Sequence, residues 1–549
     1  MTKKLISVLL AALMLAASAV IAHAGGSPFS DVKEKRWSYD SIIYAYENGL
    51  MDGVGGGKFD PAGTMTRGMV VTVLWRMENK PGVTFRDDFS DVKPGKYYSN
   101  AVIWAKDNNI VNGVSEGKFD PAGKITREQL AAMLFRYANS KNYVTDERGV
   151  LDTFDDAGKI HSYAVEPLSW AVGAGLITGV TAKTVSPRTN ATREQFATIL
   201  QRFAGKEFVT LADVYREAIG SVADEAEIML REEMSRWTGD SDGTELLGSD
   251  DGALVFGLFE AGRYDAVREY VEFLAEKGIE PGGCWSGFAG YAIEGMYEMT
   301  GEEIYAGYCR SILDCLRGIP TDEHGEIQYG RPGSEKVNND IYVDGTGLAG
   351  IFLGRYADLF DDGEVEELAE LQVRNYLDYG VMEKIGLVAH GYNGTGVQQG
   401  EIGWGRGTGW FMLAAGSVMR YCGDDGLSKR CDALIGKTVK KALPDGMFAW
   451  TLSPGASDAP ADTSATGMIM WGILKAKEAG YAGSVTDEQI GKTAAACLGF
   501  IEDGRVYGAS GASGGWYYYS DNYNENNALG QGSVLAFLSL YLDMLESGK

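Results

Sequence analysis

Lys58-Phe59-Asp60-Pro61-Ala62-Gly63 returns unchanged as Lys118-Phe119-Asp120-Pro121-Ala122-Gly123. The flanks of this segment repeat as well. Phe29-Ser30-Asp31-Val32 precedes the first copy, Phe89-Ser90-Asp91-Val92 the second, and Phe154-Asp155-Asp156-Ala157 opens a looser third. Thr66-Arg67, Thr126-Arg127-Glu128 and Thr192-Arg193-Glu194 follow the loops. Such self-similarity marks stacked supersecondary units that share one core. Each copy reads as helix, glycine-rich turn, helix. In the second, Ala101, Trp104 and Ala105 form an apolar stripe, Asn112-Gly113 closes that helix, and Asp120-Pro121 marks the loop. Thr126 with Gln129, and Thr192 with Gln195, have the spacing of a capping box. The first copy has Met69 in that place, so a weaker cap is expected there.

These repeats, over about residues 28–205, resemble S-layer homology domains, which bind secondary cell-wall polysaccharide in Gram-positive bacteria. The resemblance implies that Arg67, Arg127 and Arg193, with Asp31 and Asp91, bind that acidic polymer. Arginine suits the task, because its planar fork pairs bidentately with carboxylate; the alternative is that these residues bracket a helix start. The first copy has Gly68 where the family usually keeps Ala-Glu, so the grip is expected to rest mainly on Arg127 and Arg193.

Lys3 and Lys4, an apolar run from Leu5 to Ala22, and Ala22-His23-Ala24 describe a secretory leader over 1–24. The competing reading is an uncleaved anchor, since about 18–20 apolar residues span a bilayer. With the leader removed, no membrane span is expected. The net charge of −26 speaks against nucleic acid as a partner, which needs a basic face. The six cysteines all follow residue 283 and form no CxxC pair. Export permits disulfides, but small buried apolar roles in helices are the preferred reading.

Beyond Gly205, over 212–549, helical patterns alternate with glycine-rich segments, and β-branched alternation is scarce. Ala253–Phe259, Tyr291–Met299, Leu348–Leu359, Trp410–Tyr421 and Ser533–Leu545 read as helices, with the glycines assigned to loops between them. An all-α toroid is expected, its loops meeting at one end. Three segments carry chemistry: Asn339-Asp340-Ile341-Tyr342-Val343-Asp344-Gly345; His390-Gly391-Tyr392-Asn393 with Trp404-Gly405-Arg406-Gly407-Thr408-Gly409-Trp410; and Asp462-Thr463-Ser464-Ala465. Carboxylates transfer protons, aromatic faces stack on sugar rings, and Arg pairs with acidic sugars. No zinc spacing, P-loop or dinucleotide fingerprint occurs, and neither a cofactor nor a metal is expected.

These segments resemble the unsaturated glucuronyl and rhamnogalacturonyl hydrolases of glycoside hydrolase families 88 and 105, over about residues 212–546. The resemblance implies an (α/α)6 barrel and a substrate ending in a 4,5-unsaturated uronic acid. The chain would then be a glycoside hydrolase of the bacterial cell surface that hydrates a vinyl ether. By the same resemblance Asp344 is the general acid/base, His390 stands beside the sugar, Arg406 binds the uronate carboxylate, and Trp410 and Trp404 pack on the ring. Asp462 and Ser464 read as structural. The family's second acidic residue is missing: Gly283-Cys284-Trp285-Ser286-Gly287 has no carboxylate. That gap keeps open a non-catalytic surface protein on a degenerate barrel. An ordinary glycosidase or lyase would need two opposed carboxylates, and no convincing pair stands out.

Overall fold

The computed structural model describes residues 27–237, 246–334, 340–454, 458–511 and 527–547. The leader read at 1–24 and Asn339 lie outside them. The chain divides into two compact units, residues 1–214 and 215–549.

The first unit has two α-helices per repeat: α1 (Tyr39–Glu47) and α2 (Arg67–Met77), α3 (Ser99–Asp107) and α4 (Arg127–Ser140), α5 (Ser162–Gly173) and α6 (Arg193–Ala204). The repeats close into a ring through backbone bonds at equivalent positions. Met65 N–H donates to Ala191 O, Ala191 N–H to Ile125 O, and Ile125 N–H to Met65 O. The loop residues before each proline, Asp60, Asp120 and Ser186, all have positive φ, a conformation Asp tolerates. Full capping boxes form at Thr126 and Thr192, while Thr66 accepts only the Met69 amide.

The second unit is an (α/α)6 barrel. Six inner helices make a closed ring in the order α8 (Ser249–Glu260), α10 (Ser286–Thr300), α12 (Val343–Phe360), α14 (Gly405–Tyr421), α16 (Thr463–Glu478) and α18 (Ala528–Ser547), with α18 back against α8. Between them in the chain run the outer helices α7 (Leu211–Arg236), α9 (Tyr264–Lys277), α11 (Glu303–Gly318), α13 (Gly363–Asn375), α15 (Asp425–Thr438) and α17 (Asp487–Leu498). Alternation of inner and outer helices makes the inner ones parallel, so their N-termini gather at one end. The helix α18 is apolar and long enough to cross a membrane by composition, yet 72% of its apolar window is buried as one wall of this ring.

Many glycines expected in loops instead lie inside the inner helices, where they let backbones touch. A Cβ on Gly347 would stand 2.6 Å from Trp410 O, one on Gly287 would collide with Leu348 O, and one on Gly416 would stand 2.8 Å from Gly472. Six helices cannot close around so narrow a centre with full-sized residues at every crossing.

A small antiparallel sheet interrupts the helices: β1 (Ile341–Tyr342), β2 (Val381–Met382), β3 (Leu387–Tyr392) and β4 (Gln398–Ile402), with β3 pairing all three others. The segment around His390, read from sequence as a loop, is therefore a strand. All six residues of β3 are buried, so no alternation of polar and apolar residues announces it. The six cysteines are free, five of them buried.

Candidate functional site

The N-termini of the inner helices bring the predicted site residues of the second unit together. Asp344 lies in the first turn of α12, Trp404 at the N-cap of α14, and Arg406 and Trp410 on the first two turns of α14. Asp462 caps α16 by accepting the Ala465 amide and the Ser464 hydroxyl, the structural use expected of it. Helix N-termini carry unpaired N–H groups and partial positive charge, so a ring of them favours an anion.

At the centre, Asp344 Oδ2 lies 3.4 Å from His390 Nε2, with the Asp side chain 20% exposed and the His 2%. The register of β3 against β4 slips between Ala389 and Gly391, a bulge that turns His390 out of the regular ladder. Its ring rests against Trp404 at 4.6 Å and meets Tyr342 edge-on at 5.4 Å. Three buried polar atoms here accept or donate no hydrogen bond among the described residues: Asp344 Oδ2, Trp410 Nε1 and Trp285 Nε1. Buried polar atoms are nearly always satisfied, so each exception needs an explanation; these three stand together at the mouth of the helix ring, where a bound sugar would supply the partner.

Arg406 is more constrained than a free carboxylate receptor. Its Nη1 donates to Ser510 O at 2.7 Å and its Nη2 to Gly511 O at 2.5 Å, while the guanidinium lies 5.4 Å from the Trp404 ring centre. Ser510 in turn donates to Asp462 Oδ2 at 2.6 Å, and Asn527 Nδ2 donates to Ser510 O. Opposite α14 in the ring, Asp250 opens the first turn of α8 and is exposed. The protein around it raises its carboxyl above the ordinary range, and the charge of Arg406 works against that. Sequence reasoning passed over Asp250, because its neighbour Asp251, which accepts the Leu247 and Gly248 amides, makes the pair look like helix-start acids only.

In the first unit each motif arginine reaches into the next repeat. Arg67 Nε donates to Phe119 O, Arg127 Nε to Val185 O and Arg193 Nε to Phe59 O. Arg127 and Arg193 also commit Nη2, to Thr178 O and Asp52 O. Asp31 and Asp91 accept the amides of Phe59 and Asp60, and of Phe119 and Asp120. Burial works to raise these carboxyls, but the amide bonds outweigh it and hold both below the usual range.

The motif glutamates clasp neighbouring repeats. Glu128 accepts the His161 amide and lies 2.6 Å from its Nδ1, and Glu194 holds Arg36 and Ser38. No Glu follows Arg67: Gly68 stands there, where a Cβ would come within 2.8 Å of Pro121 O. A cavity of about 320 Å³ is lined by Arg67, Asn112, Gln129, Arg136 and Tyr163. Arg76 and Arg202, the equivalents of Arg136, donate to Leu50 O and Leu176 O. Arg136 makes no hydrogen bond or ion pair among the described residues.

The Glycosyl Hydrolase Family 88 model matches residues 285–545, and the S-layer homology domain model matches 28–68, 88–131 and 153–197. The chain carries three S-layer homology domains followed by a family 88 glycosyl hydrolase domain. An amylopullulanase of Thermoanaerobacterium thermosulfurigenes is 30% identical over 173 residues, 31% of this chain and 9% of that protein. An S-layer protein of Bacillus thuringiensis subsp. finitimus is 28% identical over 210 residues, 38% of this chain and 25% of that protein. The chain thus spans a quarter or less of the length of these relatives. The family 88 domain shares its fold with a possible member of the GH105 family from Klebsiella pneumoniae, at 17% identity, a TM-score of 0.52, and coverage of 62% of this chain and 95% of that one. The S-layer homology domains and S-layer relatives indicate a bacterial cell-surface location.

Proposed function

We propose that the family 88 domain hydrates 4,5-unsaturated uronyl ends of oligosaccharides, and that the repeats hold it to secondary cell-wall polysaccharide after secretion behind the leader at 1–24. The observation that carries the catalytic half is Asp344, with an unsatisfied buried oxygen beside His390 under a ring of helix N-termini. In the neutral form Asp344 gives its proton to C4 of the vinyl ether. The charge that develops at C5 draws in water, whose proton returns to the Asp344 carboxylate as the C5–O bond forms. The hemiketal then opens and releases the neighbouring sugar as an alcohol, so atoms and protons balance and Asp344 ends as it began. His390 orients the Asp344 carboxyl for both transfers. Trp410 Nε1 donates to a sugar oxygen, while Trp404, buried between His390 and Arg406, backs those two side chains instead of stacking on the ring as expected. Arg406, held by Ser510 and Gly511, adds positive charge beside the uronate carboxylate.

The anchoring half rests on the cavity at Arg67. The two other motif arginines spend a terminal nitrogen on backbone. Among the described residues Arg67 bonds backbone through Nε alone, and its cavity is faced by two guanidiniums, Arg67 and Arg136. The wall polymer therefore seats its acidic group between Arg67 and Arg136, which reverses the expectation that Arg127 and Arg193 dominate. Loss of ultraviolet absorbance from a panel of lyase-generated unsaturated disaccharides tests the catalytic half, since hydration removes the conjugated double bond. No loss with any of them, under conditions where the protein is folded, leaves a binding protein instead.

A further inference from the structure

Beneath the site lies a polar cluster that the proposed chemistry does not use. Glu326 is fully buried, in the stretch between α11 and β1. Its own amide is held by Asp322 Oδ1 at 2.8 Å, which also accepts the His324 amide. One carboxylate oxygen accepts the Thr346 hydroxyl at 2.6 Å, and the other accepts the Tyr392 hydroxyl in a short hydrogen bond. The Tyr392 hydroxyl also lies 3.4 Å from Asp322 Oδ2.

The positions of the two donors matter. Thr346 stands two residues after Asp344 on the first turn of α12, and Tyr392 stands two residues after His390 on β3. We infer that Glu326 is a positioning residue, a single carboxyl that ties the strand of His390 to the helix of Asp344 and so fixes the contact between them. The inference rests on the assignment of Asp344 and His390 as the reacting pair.

Burying a carboxyl is costly, and an apolar side chain of similar size would fill the space without that cost. What the carboxyl adds is direction: two oxygens, each committed to one element, set the distance between the elements. The β-bulge makes such a tie necessary. His390 sits where the ladder to β4 slips, so the sheet alone does not hold it in register. Small displacements of a reacting group lower turnover steeply while leaving binding intact.

The test uses the full chain and three kinds of substitution. Tyr392→Phe and Thr346→Val each remove one arm and keep side-chain volume, so neither opens a cavity. Each is expected to lower kcat roughly tenfold with KM within about twofold. Glu326→Ala should lower kcat by about a hundredfold, and Glu326→Gln, which keeps the shape and one acceptor oxygen, should recover at least half of that loss on a logarithmic scale. Glu294→Gln, another fully buried carboxyl outside the site, serves as the control and leaves both parameters unchanged. A second readout is independent of turnover: the ring carbon resonances of the four histidines in protein labelled at histidine. The His390 signal should move in Glu326→Ala and Tyr392→Phe, and stay in place in Glu294→Gln.

A folded Tyr392→Phe and Glu326→Ala with wild-type kcat and an unmoved His390 signal overturns the inference. So does a loss that appears in KM alone. If the wild-type chain turns over no unsaturated disaccharide while the His390 signal still follows Glu326, the hydrolase reading fails and the tie stands.

Discussion

The two arginines that face the cavity in the first unit differ in origin. Arg67 belongs to the repeated motif, whereas Arg136 lies in the last half of α4, where its counterparts are bound to carbonyl oxygens. A guanidinium left without a partner in a half-closed groove is a receptor for carboxylate. Substituting Arg67 and Arg136 together by Gln should reduce retention on purified walls at least tenfold, while Arg188→Gln, whose Nε serves the Lys159 carbonyl, should not; co-sedimentation measures both. Wall binding that survives the double substitution would return the grip to Arg127 and Arg193. From the sequence the first copy looked the weakest of the three. The lining of its cavity draws on Arg67, Arg136 and Tyr163, residues of three different repeats that no local pattern brings together. That Asp344 and His390 stand together was legible because their motifs are short and rich in glycine; their catalytic role is a proposal. Glu326 and Asp250 were not, since Glu326 takes its meaning from hydroxyls on α12 and β3 and Asp250 from facing α14 across the ring.

At the scale of elements, helix starts in the repeats were readable to the residue, and helix crossings in the barrel were not. Thr126 has both halves of its capping box and Thr66 has one. Thr126→Ala should therefore cost the first unit about 1 kcal/mol, and Thr66→Ala distinctly less, by chemical denaturation. Glycine in the inner helices carries the opposite lesson. Gly347→Ala would push a methyl to 2.6 Å from Trp410 O and should destabilise the barrel by about 2–3 kcal/mol. Gly307, on the outer helix α11, meets nothing within 4 Å, so Gly307→Ala should stabilise by roughly 0.5–1 kcal/mol. Equal effects at both positions would contradict the role given to glycine in closing the ring. The same periodicity describes both helices, which is why sequence alone placed these glycines in loops.

Across the whole molecule, the two units respond to pH in opposite directions. Burial pushes Glu326 up to about 8, with its hydrogen bonds from Thr346 and Tyr392 opposing and Asp322 adding to the rise. Burial likewise pushes Asp251 up to about 6, against the hydrogen bonds of Tyr270 and two amides, and holds Glu294 well above its ordinary range. A carboxyl raised on folding binds its proton more tightly in the folded state. The stability it adds is complete below the unfolded value and is lost as pH climbs through the folded one. The barrel should thus weaken between about pH 4.5 and 8, by about 1.4 kcal/mol per unit for Glu326 alone, and Glu326→Gln should flatten that slope. In the repeats Asp31 and Asp91 are lowered, so their stabilisation is present above the unfolded value near 3.8 and lost as pH falls below it. Denaturation followed separately in the two units resolves the two trends, and a barrel whose stability rises from pH 5 to 8 would contradict them.

The proposed reaction turns on Asp344 as the group that moves the proton. The most direct measurement is the loss of ultraviolet absorbance from the best unsaturated disaccharide, with wild-type protein and a folded Asp344→Asn variant side by side. A wild-type rate that falls at least about a thousandfold in the variant, with KM little changed, is the expected result. An Asp344→Asn protein that still bleaches the substrate at a rate near wild type would contradict it.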